Sequence, residues 1–305
     1  MSPTGTPAAP FGRVVTAMVT PFRADGAVDV DAAVALAAHL LDTGHDGVVV
    51  NGTTGESPTT TDDEKALLVR EVVAAVGDRA VVVAGAGTND TAHTVTLARQ
   101  AAEAGAHGLL LVTPYYSKPP QEGVLAHFRA AADATDLPCM LYDIPGRSAT
   151  AIATDTLLRL AEHPRIAAVK DAKADLFASA DVMSQTSLAY YSGDDALNLP
   201  HLANGAVGIV SVVGHVAGRR HAELVAAVDA GDLPRAREVA RSLIPAVRGI
   251  MTRGQGAVMA KAALELAGVL DRRGVRLPLL PASDAQVDLL REDLVQARLL
   301  GATAA

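Results

Sequence analysis

"AVVVAGAGTNDTAHTVTLARQAAEAGAHGLLLVTP", residues 80–114, holds one complete unit of the pattern that organises this chain. Its two outer runs, "AVVVAGAG" and "GLLLVTP", are apolar almost without interruption, as strands buried on both faces of a parallel sheet are. Between them, "AHTVTLARQAAEAG" has helical spacing and ends at Gly105, a residue suited to the position just past a helix C-terminus. The unit recurs. Further runs of the same kind are "RVVTAMVT", "GVVVNG", "CMLYDIP", "IAAVK", "LAYYSGD" and "GIVSVV", which makes eight in all. "DVDAAVALAAHLLDTG" is a second helix of the same type, closing at Gly44, and "TDDE" at 61–64 fits a capping box that opens another. Eight strand–helix units in unbroken alternation predict an α/β fold of the (β/α)8 barrel type in preference to a doubly wound sheet. After "VVGHVAG" the strand pattern stops, and the rest reads as helix with a break at "RLPLLP", residues 276–281. The expected organisation is a flexible lead-in at 1–12, a catalytic barrel at 13–232 and a C-terminal helical extension at 233–305.

Composition narrows the class of function. The chain has 305 residues, enough for one such barrel with an appendage. With 26 basic and 34 acidic residues, its net charge of −8 gives it no general attraction for nucleic acid or an anionic membrane surface. Its single cysteine, Cys139, excludes an internal disulfide and sits in an apolar run, where a buried, inert thiol is expected. "MSPTGTPAAPFG" at the start has neither a charged nor an apolar segment and does not read as a signal peptide. No uninterrupted apolar stretch approaches the ~18 residues of a membrane span. The expectation is a soluble, cytoplasmic protein. Aromatic residues make up 3%, so the core is aliphatic and each tyrosine draws attention.

In a barrel of this kind the chemistry lies at the carboxyl ends of the strands. The residues found there are Thr20; the loop Gly52-Thr53-Thr54-Gly55-Glu56-Ser57; Gly85 to Asn89; Thr113, Tyr115 and Tyr116; Tyr142, Asp143 and Arg147; Lys170; Gly193 with Asp194 and Asp195; and Ser211. Three of the five tyrosines fall in this ring. Lys170, ending "IAAVK", is either a lysine leaving its strand for solvent or an amine in a partly apolar barrel mouth. In the second case desolvation lowers its pKa and frees it to attack a carbonyl. Alternation along the strand does not say which face points to the axis. Lys118, in a Pro-rich loop, and Lys173 and Lys261, expected on helices, are its rivals. A metal route to the same carbonyl chemistry needs histidine and carboxylate ligands, and the nine histidines offer no pair with ligand spacing at strand ends. The GTTGES loop has three readings. A phosphate loop would carry lysine after its second glycine, where Glu56 stands. A plain turn before the capped helix is the second. The third is a nest of backbone N–H groups with hydroxyls, holding a carboxylate. An α-keto acid would offer that carboxylate together with a carbonyl for Lys170. Arg147 is either a surface arginine after a turn or a bidentate clamp for a second carboxylate. The "GDD" at 193–195 reads as a turn and helix N-cap, and its negative charge argues against a phosphate-binding barrel.

Six motifs in order, "TAMVTPF", "GTTGES", "TPYYSKPP", "YDIPGR", "VKDAKAD" and "SGDDALNL", resemble the dihydrodipicolinate synthase family, in its actinobacterial form, among the Schiff-base pyruvate-dependent aldolases. The likeness runs from Arg13 to beyond Ser211. It implies condensation of pyruvate with L-aspartate-4-semialdehyde to 4-hydroxy-tetrahydrodipicolinate, on the way to diaminopimelate and lysine. It implies that Lys170 forms the Schiff base and that Thr53 and Thr54 hold the pyruvate carboxylate. Tyr142 would shuttle protons, linked through Thr54 to Tyr116, which in the family reaches in from a neighbouring subunit. Arg147 would bind the semialdehyde carboxylate, and Gly193 and Val210 would give backbone contacts near the reaction centre. The resemblance further implies no metal or organic cofactor beyond the covalent pyruvate, and a homotetramer built as a dimer of dimers. A sialic-acid (N-acetylneuraminate) lyase or 2-keto-3-deoxy-sugar-acid aldolase of the same superfamily is the alternative, and Arg147 in "PGR" speaks against it. Many members bind lysine as a feedback inhibitor using the places of Ser57, Asn89 and Tyr115. Asp62, Lys65 and His93 stand here where feedback-sensitive members often carry histidines and a glutamate. A histidine in place of an acid, with an added lysine, predicts weak or absent inhibition by that cationic amino acid.

Overall fold

Eight parallel strands close into a barrel in sequence order: β1 (Val14–Ala17), β2 (Gly47–Val50), β3 (Val81–Gly85), β4 (Gly108–Val112), β5 (Cys139–Asp143), β6 (Ile166–Asp171), β7 (Ala189–Ser192) and β8 (Gly208–Ser211). β1 completes the ring by pairing with β8, Val14 opposite Ile209. The computed structural model describes residues 8–301. Helices α1 (Val30–Asp42), α2 (Asp62–Val76), α3 (Thr91–Glu103), α4 (Gln121–Ala132), α5 (Pro145–Ser148), α6 (Thr154–Leu160), α7 (Leu176–Gln185), α8 (Asn198–Ala203) and α9 (Gly214–Asp229) follow or separate the strands. The capping box at the start of α2 is complete: Thr61 accepts from the Glu64 amide and Glu64 accepts from the Thr61 amide.

The barrel resolves which strand faces point inward. Val15, Ala17, Val49, Val83, Leu110, Met140, Ala168 and Val210 fill the axis. Their neighbours Val48, Val82, Leu109, Leu141, Val169 and Ile209 pack outward on the helices. Both sets are apolar, so the strands carry no polar alternation to mark their faces. Lys170 and Tyr142 lie two residues beyond Ala168 and Met140 and so share the inward face.

Of the expected lead-in, residues 1–7 lie outside the described residues. Its last part is not loose: Phe11 is fully buried, its ring edge-on to Tyr191 with centroids 6.2 Å apart, and its amide donates to the Tyr191 hydroxyl at 3.1 Å. A Cβ on Gly108, at the start of β4, would stand 2.4 Å from that ring, so glycine leaves the room that Phe11 takes. Beyond Asp229, α10 (Leu233–Val247), α11 (Gly256–Leu266) and α12 (Asp284–Gln296) form the C-terminal appendage. Leu243, Met259, Leu264 and Leu290 in it belong to the same apolar core as the outer face of the barrel. Among the described residues no helix is long and apolar enough to cross a membrane. Cys139 is buried as expected, and burial pushes its thiol up to about 12.

Candidate active site

The GTTGES turn shows how local sequence leaves backbone amides unused at the end of a strand. The amides of Gly55 and Glu56 donate back to Gly52 and Thr53, at 3.0 and 3.1 Å, and Ser57 donates to Gly52. Those of Thr53 and Thr54 donate to no acceptor among the described residues. The turn closes because Asn51 and Glu56 both take left-handed backbone, with φ of 60° and 57°. From the end of β1, Thr20 fixes it by donating to the Gly55 carbonyl at 2.7 Å.

Lys170, near the end of β6, is 3% exposed. Its Nζ lies 4.2 Å from the centre of the Tyr142 ring, over the face. Burial lowers the amine from its ordinary 10.5 to about 8; Asp195 works against the shift and Arg147 with it. Three lysines are buried among the described residues, and the other two are spoken for: Lys65 donates to the Thr60 carbonyl and Lys261 pairs with Glu56. Lys261 lies on α11 as expected, whereas Lys173 falls in the turn after β6, where it pairs with Asp143 at 3.2 Å. Lys118 is exposed, in a left-handed loop position. The same desolvation pushes the Tyr142 phenol up to about 12, a shift that Arg147 opposes.

Beside the Tyr142 ring opens a cavity of about 200 Å3, lined among others by Thr53, Ser57, Tyr115, Tyr142, Ile144 and Arg147. Arg147 stands on the short helix α5, exposed at the rim, and forms no ion pair among the described residues. Thr54 is 8% exposed and does not line the cavity, whereas Thr53 lines it together with Tyr142. Tyr116 is set apart from the other expected site residues. It is 87% exposed, with φ of 72°, directed away from its own chain's core. Val210 is buried in the barrel axis. Gly193 does something the sequence did not signal: a Cβ there would stand 2.9 Å from Lys170 Cγ and 3.0 Å from the Asp171 carbonyl, so its bareness is the space in which the lysine stem lies.

Asp194 is the N-cap expected from "GDD", accepting from the Ala196 amide at 3.0 Å. Asp195 is different. It is buried, accepts from the amides of Val212 and Val213 and from Ser211 and Asn198, and lies 3.7 Å from His221. Despite burial, His221 and these donors hold its carboxyl below the usual range, which keeps a negative charge near the Lys170 amine.

A closed barrel with a desolvated lysine against a phenol, the phenol sharing a cavity with a turn of free amides at the carboxyl end of the strands, defines a class: the imine-forming, aldolase-type lyases on an α/β barrel. Within it, the chain belongs to the dihydrodipicolinate synthetase family, whose pattern it matches over residues 10–297. A 4-hydroxy-tetrahydrodipicolinate synthase of Kineococcus radiotolerans is 64% identical over 300 residues, covering 97% of each chain. Among solved structures, a dihydrodipicolinate synthase of Bacillus anthracis is 42% identical with a TM-score of 0.90, over 93% of this chain and 98% of that one. The enzyme of Cyanidioschyzon merolae, solved with lysine bound, is 41% identical with a TM-score of 0.92, over 96% of this chain and 100% of that one.

Proposed function

We propose that the chain condenses pyruvate with L-aspartate-4-semialdehyde to 4-hydroxy-tetrahydrodipicolinate through a Schiff base on Lys170. The observation that carries this is the buried Lys170 amine, lowered to about 8 and lying on Tyr142. A neutral amine is the form that attacks a ketone, and burial supplies it near neutral pH.

In this reading the free amides of Thr53 and Thr54 hold the pyruvate carboxylate, which presents the ketone carbon to Lys170. Loss of water gives an iminium, whose electron demand lets a methyl proton leave. The resulting enamine attacks the aldehyde carbon of the semialdehyde and forms the new carbon–carbon bond. The semialdehyde's own amine then displaces Lys170 and closes the ring, so the net by-product is one water. Arg147, unpaired at the rim, takes the semialdehyde carboxylate. Tyr142 moves the protons. With its phenol pushed up to about 12 it is a poor base alone, so it works through a relay. We read the threonine of that relay as Thr53, which lines the cavity together with Tyr142, in place of the Thr54 that the resemblance implied. Tyr116, exposed and bent away from its own core, is the phenol supplied to a neighbouring subunit, which makes a dimer the catalytic minimum within a homotetramer. No metal or organic cofactor takes part, and the enzyme works in the cytoplasm.

The test is substrate choice. Pyruvate consumption should depend on aspartate semialdehyde, and N-acetylneuraminate should not be cleaved. Cleavage of sialic acid without use of the semialdehyde would overturn the reading in favour of the lyase alternative.

A further inference from the structure

The turn that carries Thr53 and Thr54 is gripped from a second side, by residues remote in sequence. Glu56 is 2% exposed and holds left-handed backbone with φ of 57°. A side-chain-bearing residue keeps that conformation only where its surroundings enforce it. The enforcement comes from the C-terminal extension. The Glu56 carboxylate accepts from Lys261 Nζ, on α11, and from the Arg276 amide at 2.9 Å. Lys261 is fully buried on a helix whose other residues are apolar except Glu265; its ammonium also donates to the Gly274 carbonyl at 2.7 Å and lies 4.2 Å over the Phe22 ring. Burial lowers this ammonium to about 8, with Glu56 the chief influence opposing the shift. Arg276 adds a second brace, donating to the Thr59 carbonyl and pairing with Glu64 at the start of α2.

We infer that the Glu56–Lys261 pair is a positioning device for the keto-acid site: through Glu56, the C-terminal extension sets the aim of the Thr53 and Thr54 amides. The inference rests on the reading of that turn as the receptor for the pyruvate carboxylate. Neither residue of the pair lines the cavity. A charge buried without its partner is costly, so a single substitution also disturbs folding, whereas removing both charges relieves that.

Three variants separate positioning from mere structure: Glu56→Gln, Lys261→Met and the double Glu56→Gln/Lys261→Met. Thermal melting, kcat and kcat/KM for each substrate are measured on each. The single Lys261→Met should melt early and lose about tenfold or more in kcat/KM for pyruvate, as expected when a binding group is slightly misaimed. The double variant should regain thermal stability yet keep that loss, with kcat at saturating pyruvate and the KM for the semialdehyde within about twofold of the parent. Glu56→Gln, which keeps the shape of the contact, should lose less in the same direction. A double variant that regains the parent kcat/KM for pyruvate along with its stability would overturn the inference and leave the pair a plain strut. If the parent protein itself forms no pyruvate adduct on Lys170, the underlying reading fails instead, and the two failures are thereby told apart.

Discussion

The lowered pKa of Lys170 makes a quantitative prediction about imine formation. The perturbation is pH. A shift from 10.5 to about 8 corresponds to about 3 kcal/mol favouring the neutral amine. At pH 7 about 9% of the enzyme would then hold a neutral Lys170, against about 0.03% for a lysine of ordinary pKa, a gain of about 300-fold in reactive amine. The assay traps the imine with cyanoborohydride under sub-saturating pyruvate, so that the rate reports the free enzyme. The rate should climb about tenfold between pH 6 and 7, then bend, and gain less than about twofold between pH 8 and 9. The sign follows from burial: the folded pKa lies below the ordinary 10.5 of a lysine, so the reactive form is complete once pH passes well above 8. A rise that keeps its tenfold slope through pH 9.5 would place the amine at its solvent-exposed value and refute the desolvation argument.

Arg147→Ala should cut kcat/KM for the semialdehyde by about 10- to 150-fold, the worth of one charge-assisted carboxylate contact at about 1.5–3 kcal/mol; steady-state kinetics should show pyruvate nearly unaffected, and a collapse of pyruvate use would show that the arginine serves the wrong substrate in this account. Gly193→Ala puts a Cβ 2.9 Å from Lys170 Cγ, and displacing the nucleophile should lower kcat by about 100-fold with a cooperative melt retained; full activity would mean the lysine stem has room elsewhere. Lysine should inhibit weakly or not at all, because His93 is already bound to Asp62 at 2.8 Å and Lys65 brings a positive charge to that region; a sub-millimolar inhibition constant would contradict this.

The architecture was legible because each strand is a short apolar run and several helices are closed by a glycine or opened by a cap; Gly44, Gly105 and Thr61 occupy those places. The inward face of each strand was not, since Val82 and Val83, or Leu109 and Leu110, are alike in polarity and differ only in what surrounds them. Lys170 was legible as a candidate, but its burial had to come from the barrel. Thr53 and Thr54 are chemically equal in sequence, and only the cavity wall separates them. The Glu56–Lys261 pair spans 205 positions, beyond any local pattern. One signal did exist: in "GAVMAKAALEL" every residue but Lys261 and Glu265 is apolar, so a lysine there is expected to be buried and therefore paired. Phe11 was hidden for a different reason, since a lone aromatic in a Pro/Ala/Gly-rich lead-in has no periodicity to declare it.

The central claim is that one buried amine captures the keto acid. The most direct measurement is reduction with borohydride in the presence of pyruvate, followed by peptide mass mapping. The account predicts a single pyruvate-derived adduct on Lys170, absent from Lys170→Ala, which should also be inactive. An adduct on Lys118 or Lys173, or turnover that persists in Lys170→Ala, would contradict it.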